Sequence, residues 1–415
     1  NIARARGSST SLDVSGRRLL SWKGSRSMER DFSARAIKAS QEGTVAYCKF
    51  ITANDVGTTG GHQSGYHIHK SAWPLFFDSP GERGSNDEAF VTIMWQDDFE
   101  TESRFIYYGT GTRNEYRLTR FGRGFPFLKD DDIGSLLVIC KIAGGYYRAY
   151  VLETEQEIED YLTFFGISPD RANGLVSELS MATAELQDLI DVYVQSLADG
   201  FPVTEALAMA AREVSLSASR QSEASAMTNP DALITRWIDT EYALFRSVEK
   251  RFYSDELNTP FIEVENLVSF ANTVLNRRKS RAGKSLEHHL GKIFDIHQLP
   301  YTAQGITEGR KKPDFIMPSI ELYHDDNYSD NKLIFLGAKT TCKDRWRQVL
   351  NEAARTPQKH LFTLQQGISS NQLHEMKSEN LTLVVPEKHL STFPAEHRED
   401  ILTLKGFISY AKATI

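Results

Sequence analysis

The stretch "KKPDFIMPSIELYHDDNYSDNKLIFLGAKTTCKDRW", residues 311–346, decides the fold of the C-terminal half of the chain. Two apolar segments in it, "DFIMP" and "KLIFLGAKT", are bounded by polar residues and predict two strands. Asp314 begins the first segment, and Lys339 ends the second one 25 residues later. Because a buried ammonium without a partner is costly, Lys339 requires either solvent or a function.

A carboxylate and a lysine on neighbouring strands are the arrangement that metal-dependent nucleases use. The carboxylate binds Mg²⁺, which lowers the pKa of a bound water and neutralises charge on the scissile phosphate. The lysine orients the water or stabilises the phosphate. The pair Asp314 and Lys339 therefore predicts metal-assisted hydrolysis of a phosphodiester.

The usual pattern, PD…(D/E)xK, has a second acid two residues before the lysine, where this chain has Gly337. One candidate for the missing acid is Glu352, beside the apolar stripe of a helix predicted over 344–355. The other is Glu287, at the edge of the apolar face of a helix predicted over 284–298. For each of the two, taken singly, a surface carboxylate remains the alternative.

The chain alternates between two kinds of pattern. Short β-branched and aromatic runs between 44 and about 152 predict an all-β domain, and the segment after it has helical spacing. The Ser- and Ala-rich stretch 215–231 ends in Asn-Pro and is the predicted flexible linker. Strands then alternate with helices, which predicts an α/β domain with a mixed sheet. The predicted organisation is a poorly ordered extension at 1–40, an all-β domain at 41–152, a helical connector and linker at 153–230 and a nuclease domain at 231–415.

Composition excludes several classes of protein. No apolar run of the 415-residue chain approaches the roughly 20 residues of a membrane helix, so we expect no membrane partner. Three distant cysteines without a CxxC pair fit a reducing cytoplasm and disfavour structural zinc. The segment "RAGKS" is not a P-loop, because Arg278 stands where that motif has glycine, and we expect no nucleotide cofactor. No serine lies in a nucleophile elbow.

Charge is patterned although the net charge is −7. Basic residues collect at 113–123, 276–284, 309–312 and 342–347. Each cluster alone is typical of a solvated face, but four of them on an acidic chain favour a partner of defined shape such as a DNA groove.

Several motifs resemble the EcoRII-type restriction endonucleases. In the C-terminal half these are "NRRKSRAGKSLE", "GITEG" before "KKPDF", "KTTCKDRWRQVLNEA" and "HLFTLQ"; in the N-terminal half they are "TANDVGTTGGHQSG" and "YYGTGTRNEYRLTRFGRG". The resemblance covers about residues 44–150 and 260–410. It implies a B3-like pseudobarrel that binds DNA, followed by a PD-(D/E)xK nuclease domain that cuts double-stranded DNA with Mg²⁺.

The resemblance also implies roles for particular residues. Asp314 and Glu352 hold the metal, Lys339 supports the water and phosphate, and Glu287 and Tyr323 assist in catalysis. The "KDR" residues Lys343, Asp344 and Arg345 read bases, because lysine and arginine donate to guanine and aspartate accepts from cytosine. This suits a CC-x-GG site whose centre is A·T or unrestricted. A charged helix start capped by Asp344 is the alternative.

Two arms of the N-terminal domain are expected to bind a further copy of the DNA site. Their candidate DNA-binding residues are Asn54, His62, Gln63, Arg113, Asn114, Glu115, Arg117 and Arg120. Strand alternation predicts that Arg113, Glu115 and Arg117 share one face. An ordinary salt-bridged hairpin is the alternative. A DNA-binding domain that cannot cut, next to one that can, further suggests autoinhibition that DNA relieves.

We expect a homodimer, since a near-palindromic site matches two-fold symmetry. Two other functions remain open at this point. One is a regulator that binds DNA without cutting it, which an intact set of Asp314, Lys339 and Glu352 disfavours. The other is a nuclease of different specificity on the same core, such as a repair or methylation-dependent enzyme.

Overall fold

Two β-sheets organise the chain, and both lie where the strand patterns predict them. The computed structural model describes residues 31–57, 65–142, 145–198 and 200–415, and Phe32–Ile415 form one compact unit. Of the described helices, none combines the length and the apolar character that crossing a membrane requires.

The N-terminal sheet has eight strands in the order β2-β5-β4-β3-β7-β6-β1-β8. All its pairs are antiparallel except β3 with β7. The strands are β1 Val45–Phe50, β2 Tyr66–Ile68, β3 Asp87–Trp95, β4 Phe99–Tyr108, β5 Glu115–Thr119, β6 Leu136–Lys141, β7 Tyr147–Leu152 and β8 Asn173–Leu175. Seven of these lie within the predicted all-β region; β8 lies beyond the predicted end of the domain at residue 152.

The two faces of this sheet bury different cores. One face packs an aromatic cluster around Trp95, in which Tyr66, Phe105 and Phe121 are also buried. Two helices, α1 (Phe32–Glu42) and α3 (Glu155–Phe165), cover the other face, and Tyr161 of α3 is buried there. The prediction of a poorly ordered extension at 1–40 is wrong for residues 32–40. These residues belong to helix α1, which buries Ala36 and Ala39 against the sheet.

Helices connect the two sheets. After α2 (Ala53–Val56) and α4 (Val176–Leu179), the helices α5 Ala184–Ser196, α6 Thr204–Ser219, α7 Ser225–Thr228, α8 Pro230–Phe252 and α9 Ser254–Asn258 follow. The predicted linker at 215–231 is therefore largely helical. Ala226 within it is fully buried in the nuclease core, and its carbonyl lies 3.0 Å from His297 Nε2. This packing corrects the expectation of a flexible linker.

The C-terminal sheet has six strands in the order β14-β13-β12-β11-β10-β9. Strands β11 to β14 are parallel, whereas β9, β10 and β11 pair antiparallel, so the predicted mixed sheet is confirmed. The strands are β9 Thr302–Ala303, β10 Phe315–Met317, β11 Ile334–Lys339, β12 Lys359–Thr363, β13 Leu381–Val385 and β14 Leu402–Thr403. The remaining helices are α10 Val264–Ile296, α11 Ile320–His324, α12 Trp346–Val349, α13 Ser370–Ser378 and α14 Leu404–Thr414.

Side-chain alternation on β10 and β11 divides the nuclease core into two layers. Phe315 and Leu336 point toward α8, α10 and α14, and Ile316 and Phe335 point toward the opposite layer, which contains Trp346. The helix predicted over 284–298 is the C-terminal part of one 33-residue helix, α10. Its C-terminal half buries the predicted face against the sheet.

Asp170 joins the N-terminal part of the chain to the nuclease part. His389 Nε2 lies 2.7 Å from Asp170 Oδ1, and Lys388 donates to Oδ2. Burial raises the pKa of the Asp170 carboxyl, but the contacts with His389 and Lys388 outweigh it and lower the pKa. Asp239 on α8 faces the same cluster, and there burial, followed by the charge of Asp170, raises the pKa from 3.8 to about 8.

The substitution Asp239→Asn is expected to stabilise the protein above about pH 4 and to have little effect below it. A raised carboxyl pKa means that the folded protein keeps a proton that the unfolded chain releases, so stability falls between about pH 4 and pH 8. Asparagine cannot lose this proton. Thermal unfolding at pH 8 should shift upward by at least about 2 °C. The exposed change Asp188→Asn is the control; equal shifts in both variants would contradict the assignment.

Candidate active site

Strands β10 and β11 place Asp314 and Lys339 side by side. Phe315 pairs with Leu336 in the antiparallel register, so Asp314 lies next to the end of β11. Lys339 Nζ is 3.1 Å from Asp314 Oδ2, and the Ala338 N–H donates to the same oxygen over 2.8 Å. The partner that Lys339 requires is therefore Asp314.

Packing explains why the second acid is absent from position 337. A Cβ on Gly337 would lie 3.1 Å from Val349 Cγ1 and 3.4 Å from Leu361 Cδ1, inside the apolar core. A carboxylate there would be buried between apolar side chains. The second acid has to come from another element.

Glu287 reaches Asp314 through a residue that the sequence did not single out, Gln304. The Gln304 Nε2 atom is 3.0 Å from Glu287 Oε2 and 3.1 Å from Asp314 Oδ1. Lys284 Nζ donates to both oxygens of the Glu287 carboxylate, at 3.1 and 2.8 Å. Glu287 is therefore linked to Asp314, and its part in catalysis stays a prediction. A glutamine in the short loop between two strands carries no sequence signal of such a role.

Glu352 lies just beyond the end of helix α12. Helix α12 covers only Trp346–Val349, and Ala353 has a positive φ of 50°, so the helix predicted over 344–355 ends early. Burial raises the pKa of the Glu352 carboxyl, which is lowered by the charge of Lys339 and raised by that of Asp314. The charges of both residues thus act on the partly buried Glu352 carboxyl.

Tyr323 lies beside the Glu352 segment. Its buried hydroxyl donates to Glu308 Oε1 over 2.6 Å and accepts from the Arg355 N–H over 3.2 Å. Glu308 Oε2 also accepts from the N–H of Ala354, at 3.3 Å. Tyr323 thus anchors the chain next to Glu352, and a direct part for it in catalysis stays a prediction.

The donor set fits a hard divalent cation. Mg²⁺ commonly takes one or two carboxylates and completes its shell with water and substrate phosphate. Asp314 and Glu287 are joined through one amide nitrogen, and Glu352 is electrostatically coupled to Asp314. Within the described ranges, no group of three or more His, Cys, Asp and Glu side chains has the geometry of a ready-made metal cluster. The carboxylates would therefore need water or phosphate as further ligands.

The loop after β11 packs against the start of α3. Glu155 Oε2 accepts the N–H of Asp344 at 2.9 Å and that of Arg345 at 2.8 Å, and Oε1 accepts from Thr341 Oγ1 at 3.1 Å. In return, Asp344 Oδ2 accepts the Glu155 N–H at 3.0 Å. The loop of the predicted base readers is thus bound to the N-terminal half of the same chain.

Each predicted base reader of the nuclease domain has an intramolecular partner. Lys343 is 7% exposed and donates to Ser135 Oγ, and burial lowers the pKa of its ammonium. The Arg345 guanidinium pairs with Glu155 and with Glu159 on α3. Asp344 accepts from the α3 N-terminus rather than capping the helix that follows it.

Most of the basic strip at 276–284 is also engaged inside the chain. Arg278 pairs with Glu249, Lys279 with Asp160, and Arg281, which is 4% exposed, with Glu241. The interpretation of this strip as part of a DNA groove is therefore wrong for Arg281, which is buried between helices.

The predicted arms of the N-terminal domain are described only in part. Residues 58–64, which include His62 and Gln63, lie outside the described residues; Asn54 is exposed on α2. On β5, Tyr116 and Leu118 are buried while Glu115 and Arg117 share the other face, which confirms the predicted alternation.

The charged arm residues form local contacts. Arg117 Nε is 3.3 Å from Glu115 Oε1. The guanidinium groups of Arg113 and Arg120 lie over the rings of Tyr108 and Phe90. The amide of Asn114 is 3.0 Å from the Tyr107 hydroxyl. These contacts leave Arg113 and Arg120 exposed at the surface.

Comparison with known proteins matches both halves of the chain. The family described as "EcoRII C terminal" matches residues 245–408, and "Restriction endonuclease EcoRII, N-terminal" matches residues 40–169. The type II restriction enzyme EcoRII of Escherichia coli is 34% identical over 410 residues, covering 90% of this chain and 95% of the relative. The chain belongs to the EcoRII family of type II restriction endonucleases.

Other relatives share less of the sequence with this EcoRII-family chain. The type II restriction enzyme SsoII of Shigella sonnei is 26% identical over 146 residues, covering 32% of this chain and 46% of SsoII. Among solved structures, metal-depleted Ecl18kI with uncleaved, modified DNA has a TM-score of 0.42 at 20% identity, covering 56% of this chain and 85% of that one. A PspGI–substrate DNA complex has a TM-score of 0.42 at 15% identity, covering 52% and 93%.

Proposed function

We propose that this chain is a Mg²⁺-dependent endonuclease that cuts double-stranded DNA at a CC-x-GG-like site and is held closed by its own N-terminal domain. The observation that carries the proposal is the contact between Asp314 and Lys339, with Glu287 and Glu352 beside it. This set combines acceptors for a cation with a donor for a phosphate.

Each residue of the site has a proposed task in hydrolysis. Asp314 and Glu352 would hold Mg²⁺, with Glu287 assisting, and the bound ion supplies an acidified water and neutralises phosphate charge. Lys339 is 27% exposed, so its ammonium can reach both solvent and a phosphate oxygen while Asp314 keeps it in place. Tyr323 and Glu308 would hold the chain just after Glu352 by accepting the N–H groups of Arg355 and Ala354.

Lys343, Asp344 and Arg345 are the proposed base readers. They follow the catalytic strand directly, so a DNA phosphate at Lys339 brings the neighbouring base edges within their reach. Their donors and acceptor suit guanine and cytosine, in agreement with a CC-x-GG site. In the present arrangement the same atoms are bound to Glu155, Glu159 and Ser135.

We regard this arrangement as the closed state of the enzyme. Glu155 takes the place of DNA as the partner of residues 343–345, which we call the reading loop. Asp170 forms a second contact between the N-terminal part and the nuclease part through His389 and Lys388. A third point is the contact of Gln365 Nε2 with the Gly134 carbonyl, at 2.9 Å. DNA that binds the open state more tightly shifts the equilibrium toward cleavage.

The N-terminal sheet is the proposed binding surface for a second copy of the DNA site. We assign it a B3-like pseudobarrel fold, with Asn54, Arg113 and Arg120 among the residues that contact DNA. Binding of two or more site copies would then couple recognition at one surface to cleavage at the other. We place this activity in the cytoplasm, where restriction of foreign DNA takes place.

The proposed surface for a homodimer is the segment 257–268, which includes the first turn of α10. Between residues 257 and 268 the chain exposes six large apolar side chains: Leu257, Phe261, Ile262, Val264, Leu267 and Val268. Ile262 is 95% exposed, and the Phe261 ring packs against that of Phe270 at 5.5 Å. Exposed apolar patches of this kind mark interaction sites, and cutting two strands requires two nuclease domains.

The double substitution Ile262→Asp and Leu267→Asp is expected to convert the dimer into a monomer. Each buried, unpaired carboxylate costs about 1–3 kcal/mol or more, so the dissociation constant should rise at least roughly 100-fold. Analytical ultracentrifugation over a concentration series measures this change. Val192→Asp, at a residue that is 67% exposed on α5, is the control. A dimer that persists in the double variant would exclude this surface.

Digestion of sequenced plasmids tests the proposed function as a whole. Plasmids with no, one or several CC-x-GG sites are incubated with the full chain and Mg²⁺, or with a chelator, and the ends are mapped. We expect cleavage at the site only, dependent on Mg²⁺, and faster on plasmids with several sites. Cleavage at unrelated sequences, or without divalent metal, would contradict the proposal.

A further inference from the structure

Gln304 lies between two of the acidic side chains of the active site. It follows β9, and its N–H donates to the carbonyl of Asp314 at 3.2 Å, which continues the antiparallel register of β9 and β10. The backbone of Gln304 has a positive φ of 55°, a conformation that is uncommon for residues other than glycine. The main chain thus directs this side chain into the site from a fixed point beside Asp314.

The Gln304 amide nitrogen carries two hydrogens and faces two carboxylates, at 3.0 Å from Glu287 and 3.1 Å from Asp314. The opposite orientation would turn the amide oxygen toward two acceptors, which is repulsive. The donors of Gln304 therefore offset the mutual repulsion of the carboxylates without adding a charge.

Gln304 links the two carboxylates, and each of them has further partners on its other side. Asp314 Oδ2 is bound by the Ala338 N–H and by Lys339, so that Oδ1 is the oxygen that faces Gln304. Glu287 is bound from the other side by Lys284 on the same helix. Glu287 comes from α10 and Asp314 from β10, and the Gln304 amide is the bridge between these two elements.

From this geometry we infer that Gln304 is a positioning residue that holds Glu287 and Asp314 as a pair for a divalent cation. The inference rests on the proposed metal site and adds to it the residue that assembles it. A carboxylate at position 304 would convert the bridge into a further ligand, and a side chain without donors would release Glu287.

Two replacements of similar size separate the bridge from simple packing. Gln304→Met keeps the length of the side chain without its donors, and Gln304→Glu keeps its shape while replacing the donors by acceptors. The matched control is Gln298→Met, since Gln298 is exposed and also has a positive φ, of 56°. Circular dichroism checks that all three variants are folded.

Mn²⁺ is titrated into each full-length protein without DNA, and the free ion is followed by electron paramagnetic resonance. We expect Gln304→Met to weaken binding about 10–100-fold, as expected when a residue that orients a ligand is lost, and Gln304→Glu to strengthen it. Without metal, Gln304→Glu should unfold at a lower temperature than wild type, and Mn²⁺ should restore its stability. Gln298→Met should bind as wild type does.

Unchanged or tighter binding by Gln304→Met would overturn the inference, as would unchanged or weaker binding by Gln304→Glu. The variant Asp314→Ala distinguishes a failure of the role inferred for Gln304 from a failure of the proposed metal site. If wild type binds Mn²⁺ and Asp314→Ala does not, the metal site stands whatever Gln304 does. If wild type does not bind, or if Asp314→Ala binds equally well, the proposed metal site falls and the role of Gln304 with it.

Discussion

Replacement of Asp314 or Lys339 by alanine is expected to lower the rate of DNA cleavage at least roughly a thousandfold. Asp314 accepts from Ala338 and from Lys339, so its loss removes the proposed metal ligand and also frees the lysine. Loss of Lys339 removes the ammonium proposed to stabilise the phosphate. A thousandfold change corresponds to about 4 kcal/mol of transition-state stabilisation.

The affinity for DNA that carries the recognition site should remain largely unchanged in both variants, because neither residue is assigned a base contact. Cleavage is measured under single-turnover conditions and binding by fluorescence anisotropy in the absence of metal. Lys332→Ala is the control, since Lys332 is exposed and precedes the opposite end of β11. Cleavage within tenfold of wild type in either active-site variant would show that the pair is structural.

Replacement of Glu155 by alanine should activate the full chain on DNA that carries one site. Glu155 accepts the N–H groups of Asp344 and Arg345 and the Thr341 hydroxyl, so one substitution removes three bonds that hold the reading loop. Hydrogen bonds to charged groups contribute about 1.5–3 kcal/mol each. If the closed state dominates, the initial rate on a single-site plasmid should rise at least about tenfold.

The same variant should lose its response to added DNA. Wild type is expected to cut a single-site plasmid faster when an oligonucleotide with the site is added, whereas Glu155→Ala should already be near that rate. Glu185→Ala, an exposed acid in the first turn of α5, is the control. Arg345→Ala is not an equivalent test, because its guanidinium is also a proposed base reader. Unchanged cleavage by Glu155→Ala would mean that this contact does not limit access of DNA.

Local patterns were sufficient to predict the elements that carry the chemistry. The apolar run after Asp314 and the run along β11 are short and bounded by polar residues, so the positions of β10 and β11 were predicted correctly. The apolar face of α10 followed from helical spacing, and Glu287 at its edge followed from that face. In each case a regular period determines which side chains are buried.

Tertiary contacts determined what the sequence did not predict. The segment around Glu352 has helical composition, yet its backbone is not helical, and the N–H groups of Ala354 and Arg355 donate to Glu308 and to the Tyr323 hydroxyl. The stretch 215–231 is polar enough for a linker, but Ala226 packs into the nuclease core. Gln304 acquires its role from the register of β9 with β10. The partner of Arg345 is about 190 residues away in sequence, beyond the reach of any local pattern.

The unbroken helix α10 fixes the distance between the proposed dimer surface and Glu287. Glu287 lies 23 residues after Val264, a span of about 35 Å along an α-helix. The N-terminal end of this helix carries part of the apolar surface proposed for the dimer, and Glu287, proposed to assist at the scissile phosphate, lies in its C-terminal half. In the proposed dimer, the separation of the two cleavage points, and hence the length of the single-stranded overhang, would depend on how many helical residues lie between the two. Each added residue would advance the carboxylate by about 1.5 Å and rotate it by about 100°. The length of the overhang would then depend on the length of α10 and not on the proposed base-reading residues.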